Sequence, residues 1–310
     1  TPPPLRLASG WEPSGMPTRQ DLERLARDAA LRQRVGVPVL DAPLLGPCCV
    51  DPSRPCLLRG AIDHWPCLGW TGRGLVEKLG GVRAPWRPCF GDWRHLLESH
   101  ASGKASDMSL KAYLGSAELR PGVLFDQDTP GLPVHAAMRP FHDVPSVLAG
   151  LHARRRIVKP IFSCGRFNTG VGFHAHLESW LAHICGRKLW WIVPEGGRAG
   201  DIVAPWQYLL PGRAPLDALF CVAEPGQVLY LPPGWAHATW NLDECCVALG
   251  RIGVDEGAES PHAELLRALH VRRLSPQQDA DPPPLRAPEV LPRPPGICTG
   301  TEAQEWVAVD

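Results

Sequence analysis

Strand-like apolar segments crowd into one part of the chain, residues 157–252, and this leaves few folds open. Short runs such as Val228–Leu231 are rich in aliphatic and aromatic residues and end at Gly or Pro, which is typical of buried strands. Residues 41–150 instead alternate short helix-like and loop-like segments punctuated by Pro, Gly and Trp. The sequence therefore predicts a mainly β domain, whose core spans 157–252 and whose flanks carry helices.

Three histidines stand beside these apolar segments. His174 and His176 are two residues apart, so on a β-strand both imidazoles project from the same face. His237 follows the double proline that ends the run Val228–Leu231, and the turn there would bring it to the end of a buried strand. Such imidazole sets bind divalent metal ions. We predict a metal site of His174, His176 and His237.

Two further polar residues are candidates for the same pocket. Lys188 begins a strongly apolar segment that contains two tryptophans, and a lysine pointing into an apolar interior needs an anionic partner. Asn241 lies four residues after His237 and either contacts such a ligand, orients a metal ligand or simply ends a strand. His183, between apolar residues, is interpreted as a packed histidine of the core or rim.

These motifs resemble those of the JmjC-domain family, a cupin branch with a double-stranded β-helix of the jelly-roll type. The shared segments are Gly-Arg-Lys-Leu-Trp at 186–190, Glu-Pro-Gly-Gln at 224–227 and Arg-Pro-Cys-Leu-Leu-Arg-Gly at 54–60. The resemblance covers roughly residues 35–255. It implies an oxygenase in which His174, His176 and His237 bind Fe(II). Lys188 would bind the distal carboxylate of 2-oxoglutarate, with Asn241 nearby.

One position departs from the family pattern, because His176 stands where most active members have Asp or Glu. Three neutral imidazoles suit zinc as well as iron. An H-x-H at this place is similar to a JmjC branch that includes lumenal endoplasmic-reticulum proteins. In a second frame His176 and Glu178 form an H-x-E pair. We favour His174, His176 and His237 as the ligands, because Lys188 lies fourteen positions after His174, near the separation usual in the family, and only twelve after His176.

The resemblance implies hydroxylation or demethylation of a side chain in a protein or peptide substrate. Two other classes stay open. A non-catalytic binding or scaffold protein with the JmjC fold is favoured by His176 and the proline-rich tail. A three-histidine metalloenzyme that does not use 2-oxoglutarate would leave Lys188 without a role. Catalytic residues stay unknown, although Glu178 is the candidate general base if the metalloenzyme is a zinc hydrolase.

Charge and composition bear on partners and location. The 32 basic and 32 acidic residues cancel, so no long-range field favours nucleic acid or an anionic membrane. No apolar run reaches the roughly 18 residues of a membrane span, so we predict a soluble protein. Cytoplasm and endoplasmic-reticulum lumen are both open, because eleven cysteines without a C-x-x-C decide neither, and the opening Thr1 leaves a removed signal peptide undecided.

We divide the chain into four segments. Residues 1–34 form an N-terminal extension with a helix, 35–257 the JmjC-like domain, 258–275 a C-terminal helix, and 276–310 a proline-rich, disordered tail. Ser260 and Pro261 supply an N-cap and a first-turn proline for the C-terminal helix. Its apolar face either packs back on the barrel or pairs with a second subunit in a homodimer.

Overall fold

A computed structural model gives the architecture of most of the chain. The C-terminal helix predicted at 258–275 and the tail at 276–310 lie outside the described residues, and the segment boundaries stay predictions. The described residues are 17–32, 36–45, 50–88, 107–116, 122–127, 133–155, 157–194, 197, 204–215 and 217–253.

Five α-helices and thirteen strands make up the described structure. None of these helices is long and apolar enough to cross a membrane. The helices are α1 Arg19–Arg32, α2 Gly72–Leu79, α3 Leu110–Gly115, α4 Pro133–Met138 and α5 Ser146–Arg155, with short 3₁₀ turns at Ala42–Leu44, Arg139–Phe141 and Pro205–Leu209. The strands are β1 Val39–Asp41, β2 Cys56–Arg59, β3 Arg83–Pro88, β4 Asp107–Ser109, β5 Gly122–Gln127, β6 Ile157–Gly165, β7 Gly170–His174, β8 Ser179–Cys185, β9 Lys188–Val193, β10 Leu219–Ala223, β11 Val228–Leu231, β12 Ala236–Asn241 and β13 Cys246–Gly253.

Strands β6 to β13 form the double-stranded β-helix that the JmjC resemblance implies, and the predicted fold class is confirmed. The order β11-β8-β13-β6 runs through the larger sheet, and β10-β9-β12-β7 makes up the smaller sheet. Successive strands cross from one sheet to the other, except for β9 and β10, which are neighbours in the smaller sheet. Strands β1 and β2 extend the larger sheet beyond β11, and β5, β3 and β4 extend it beyond β6.

Side-chain alternation along the strands creates three separate apolar layers. The interior between the sheets contains Leu57, Leu181, Trp190, Ile192 and Leu229. The outer face of the larger sheet packs against the front helices and loops, through Trp65, Tyr113, Leu148, Phe162 and Trp180. The outer face of the smaller sheet packs against α1 and the turn Pro205–Leu209, through Leu22, Trp191, Trp206 and Trp240.

Helix α1 begins with reciprocal hydrogen bonds that stabilise its first turn. The backbone N–H of Thr18 donates to the Asp21 carboxylate (3.2 Å), and the backbone N–H of Asp21 donates to the Thr18 hydroxyl (3.2 Å). Along one face of the helix, Leu22, Leu25 and Ala29 are buried against the smaller sheet. The amphipathic helix is therefore a covering layer of the barrel.

Charged residues join α1 to the turns before β9 and β13. Arg187 donates to Asp243 through its backbone N–H (2.7 Å) and its guanidinium (3.0 and 2.9 Å), and to Glu23 of α1 (2.9 Å). Burial opposes ionisation of Asp243, but the hydrogen bonds from Arg187 outweigh it and lower the pKa of that carboxyl. This cluster holds in place the residue that precedes Lys188.

Candidate metal centre and co-substrate pocket

The three predicted histidines meet inside one end of the barrel. His174 is the last residue of β7 and pairs with His237 on β12, whereas His176 follows the end of β7 and lies outside the strand. Ring centroids are 4.2 Å apart for His174 and His237, 4.6 Å for His176 and His237, and 5.6 Å for His174 and His176. One ligand atom from each of the three lies within 4.8 Å of the others. The geometry suits a single metal ion.

Backbone carbonyls fix the tautomer of all three imidazoles. Nδ1 of His174 lies 2.9 Å from the carbonyl oxygen of Gly172, and Nδ1 of His176 and of His237 lie 2.7 and 3.0 Å from other carbonyl oxygens. A carbonyl oxygen only accepts, so Nδ1 carries the proton and the lone pair of each ring is on Nε2. Metal-binding histidines are oriented by hydrogen bonds of this kind.

His237 is the most deeply placed of the three. It is buried, while His174 and His176 are partly exposed. Burial lowers the pKa of His237 well below its usual value, and the neighbouring His174 and His176 lower it further. The ring is therefore neutral at physiological pH, which is the form that binds a metal ion.

Glu178, the ligand of the alternative frame, takes a different partner. Its side chain is buried and accepts a hydrogen bond from the hydroxyl of Tyr230. Tyr230 belongs to the apolar layer outside the larger sheet. The structure thus brings His174 and His176 together with His237 and engages the Glu178 carboxylate elsewhere, which favours the three-histidine frame.

A polar cross-section lies deeper in the barrel. On β12 and β9, His237 pairs with Ile192, and Asn241 pairs with Lys188. The level of the histidines and the level of Lys188 are therefore four residues apart, or about 13 Å along the strands. The Lys188 ammonium donates to the Ser163 hydroxyl of the opposite sheet (3.0 Å). Within the described part of the chain this is its one hydrogen bond, and no carboxylate pairs with it. Burial lowers the pKa of Lys188.

Asn241 pairs with Lys188 across β12 and β9. A position near the co-substrate, which the sequence predicts for Asn241, would place it beside Lys188. Its side-chain amide donates to the Thr169 hydroxyl (3.0 Å), while its Oδ1 is buried and has no hydrogen-bond partner among the described residues. The amide packs against Gly165, where an added Cβ would lie 1.8 Å from Nδ2. A role for Asn241 in ligand binding stays a prediction.

Two interior residues, His183 and Trp190, line this pocket and were given no ligand role from the sequence. Trp190 projects between the two levels, with its ring centroid 5.6 Å from that of His237 and 5.9 Å from that of His183. His183 is fully buried, as its interpretation as a packed histidine implies. Its position follows from alternation along β8, because its neighbours Ala182 and Ile184 face the outer layer.

Comparison with known proteins then places this domain. No family model matches the chain. The arginine-specific demethylase JMJ22 of Arabidopsis thaliana is 25% identical over 232 residues, which cover 63% of this chain and 41% of that protein. The 2-oxoglutarate and iron-dependent oxygenase JMJD4 of Danio rerio is 30% identical over 92 residues, which cover 23% of this chain and 21% of that protein. Human JmjC domain-containing protein 8 is 33% identical over 91 residues, which cover 26% of this chain and 33% of that protein. The chain is thus similar in sequence to JmjC-domain proteins.

The match to these JmjC proteins is partial. The chain spans less than half the length of each of the three relatives. Among solved structures, YcfD, a ribosomal oxygenase from Escherichia coli, aligns with 77% of this chain and 59% of its own, at 18% identity and a TM-score of 0.39. The jelly-roll assignment therefore rests on the strand order of this chain itself.

Proposed function

We propose that this protein is a JmjC-type, Fe(II)- and 2-oxoglutarate-dependent oxygenase that modifies a protein side chain. The observation that carries the proposal is Lys188, a buried ammonium group whose single hydrogen-bond partner among the described residues is the neutral Ser163 hydroxyl. A buried charge is unfavourable unless it is paired, so the pocket is suited to an anion. A dicarboxylate that also reaches the histidines would satisfy both ends of the pocket.

The donor set fits a divalent first-row metal ion. His174, His176 and His237 offer three Nε2 lone pairs, and carbonyl hydrogen bonds hold the rings in that tautomer. Zinc is the alternative metal for the same ligands. Bound Fe(II) and 2-oxoglutarate would supply the oxidising chemistry, and the chain's own residues supply binding, orientation and exclusion of water.

The replacement at His176 changes the charge of the site and leaves its ligand count intact. A carboxylate ligand would cancel one of the two positive charges of the metal, and a neutral imidazole cancels none. An anionic 2-oxo acid is therefore attracted more strongly to this centre than to one with a carboxylate ligand. On this view His176 is compatible with co-substrate binding.

Protein side chains are the proposed substrates, with hydroxylation or demethylation as the reaction. Curated relatives are named as an arginine-specific demethylase and as a 2-oxoglutarate and iron-dependent oxygenase, and this proposal extends those activities to the present chain. His174 and His176 are partly exposed whereas His237 is buried, so a side chain would reach the metal from the side of the first two.

A non-catalytic JmjC-fold binding protein is the second candidate, and His176 is the observation that favours it. The two candidate functions differ in whether Lys188 binds an anionic co-substrate. A binding protein that holds no co-substrate would keep a buried ammonium without an anion, at a cost to its stability.

Anaerobic titration with Fe(II), with and without 2-oxoglutarate, separates the two. The oxygenase proposal predicts a metal-to-ligand charge-transfer band that requires both components. Lys188→Ala should weaken 2-oxoglutarate binding at least tenfold, because a hydrogen-bonded charge pair is lost. Lys78→Ala is the matched control, since Lys78 is exposed over the Trp70 ring (5.6 Å) and should have no effect. Absence of the band and of tight metal uptake in the wild type would leave the binding protein.

A further inference from the structure

His183 lies in the same cross-section of the barrel as Lys188, on the larger sheet. Its cross-strand partner on β13 is Ala248, and Ala248 pairs on its other side with Ser163, which accepts the hydrogen bond from Lys188. His183, Ala248 and Ser163 thus form a row across three neighbouring strands, and the side chain of the central residue, Ala248, is only a methyl group.

The facing row on the smaller sheet has a similar composition. Lys188 pairs with Ala223 on β10 and with Asn241 on β12. Alanine stands at one end of this row and at the centre of the opposite row, and its short side chain fills little of the roughly 10 Å between two packed sheets, so we expect space here. The space is bordered by Lys188, Ser163 and His183, all of them buried.

The His183 ring is held in place and lacks a partner for one of its nitrogens. Its plane is edge-on to Trp190, at an interplanar angle of 87° and a centroid distance of 5.9 Å. Its backbone N–H donates to the Gln227 carbonyl (2.9 Å), which fixes this part of β8. Nε2 is buried and has no hydrogen-bond partner among the described residues. Buried polar atoms are nearly always paired in native proteins, so an occupant of this space is expected to bind Nε2.

We propose that His183 is a positioning residue, which donates its Nε2–H to one oxygen of the distal co-substrate carboxylate while Lys188 binds the other. The inference rests on the proposed function. Burial and the Lys188 ammonium lower the pKa of His183 well below its usual value, so the ring is neutral and can donate one N–H without adding a second charge. A carboxylate bound at two oxygens is fixed in orientation as well as in place.

This role makes a prediction about ligand choice. Only a 2-oxo acid with a distal carboxylate reaches His183, whereas chelation of the metal needs only the 2-oxo acid end. His183→Leu should therefore weaken binding of 2-oxoglutarate to the Fe(II)-loaded protein about tenfold. Binding of 2-oxobutyrate, which lacks the distal carboxylate, should be unchanged. Both affinities are read anaerobically from the charge-transfer band.

Two further variants keep the test decisive. His183→Gln places an amide N–H near the position of Nε2 and should restore most of the affinity for 2-oxoglutarate. His152→Leu is the matched control, because the Nε2 of His152 is also buried without a partner among the described residues but lies on α5. It should leave both affinities unchanged. If His183→Leu does not fold, His183→Ala and His183→Gln give the same comparison.

The outcomes separate this inference from the proposed function. A wild-type protein that chelates neither 2-oxo acid refutes the proposed function, and the role of His183 with it. Wild-type binding of 2-oxoglutarate that is unaffected in His183→Leu overturns the His183 inference alone. Equal weakening of both 2-oxo acids also overturns it, since a structural role of His183 would not distinguish them.

Discussion

Replacing Lys188 by methionine should stabilise the ligand-free protein and abolish its stabilisation by 2-oxoglutarate. Methionine has a similar length but carries no charge. Replacing buried charges by well-packed apolar residues stabilises proteins by about 1–4 kcal/mol. Loss of the hydrogen bond to Ser163 offsets about 1 kcal/mol of that gain. A net gain of about 0–3 kcal/mol would raise Tm by up to roughly 9 °C, at about 3 °C per kcal/mol for a domain of this size.

Lys188 should lower the stability of the ligand-free protein, but the stabilisation by added 2-oxoglutarate should require it. At a concentration of 100 times Kd, a ligand that binds only the folded state stabilises it by about 2.7 kcal/mol, or roughly 8 °C. Wild-type Tm should rise by about that amount when 2-oxoglutarate is added with Mn(II) as a redox-inert metal. Lys188→Met should show little of this rise. Calorimetry of both proteins, with and without ligand, measures the four Tm values.

A Lys188→Met protein that is less stable than the wild type without ligand would refute the reasoning that Lys188 is a buried charge awaiting an anion. So would a variant that keeps the full ligand-induced rise. Lys111→Met is the control, because Lys111 is exposed on α3 and its replacement should change stability by no more than about 0.5 kcal/mol.

Three further predictions test other parts of the site. His176→Ala should abolish tight metal binding while Glu178→Gln leaves the metal Kd nearly unchanged, as measured by competition with a chromophoric chelator. Gly165→Ala should displace the Asn241 amide, since the added Cβ would lie 1.8 Å from Nδ2, and destabilise the protein by about 1–3 kcal/mol in urea unfolding. The lowered pKa of His183 means that the unfolded state binds a proton that the folded state does not, so stability should fall below about pH 6.5 by up to about 1.4 kcal/mol per pH unit, with a shallower slope in His183→Gln.

Each of these has a contrary result. Metal retained by His176→Ala but lost by Glu178→Gln would support the H-x-E frame. Wild-type stability in Gly165→Ala would show that Asn241 can move without cost. Parallel stability curves for the wild type and His183→Gln between pH 5 and 7 would show that protonation of His183 does not contribute to acid sensitivity.

Local patterns in the sequence predicted a β-rich core at 157–252 and grouped three histidines that the structure also places together, but the structural reason is partly different. The two-residue spacing of His174 and His176 was interpreted as one face of a strand, and the strand ends at His174. Past that point alternation no longer predicts direction, which is why Glu178, also in phase with the pair, has Tyr230 as its partner. Periodicity is informative only where the hydrogen-bonded ladder continues.

Relations between distant strands were beyond local reasoning. His183 and Lys188 are five residues apart in sequence, yet they belong to different sheets and approach each other across the interior. Their shared cross-section depends on the register of β13, which pairs Ala248 with both His183 and Ser163. A sequence pattern shows which residues alternate along a strand, and it does not show which strand lies beside it.

The layer formed by α1 has a consequence for any recombinant fragment of this protein. A fragment that begins at residue 35 would retain all three histidines, Lys188 and both sheets. It would nevertheless lose Leu22, Leu25 and Ala29 from the apolar layer outside the smaller sheet and leave part of that layer exposed, and large exposed apolar patches promote aggregation. Insolubility of such a fragment would result from the missing helix α1 and not from the barrel itself. The shortest soluble fragment should therefore begin before Thr18, whose hydroxyl accepts a hydrogen bond at the start of α1.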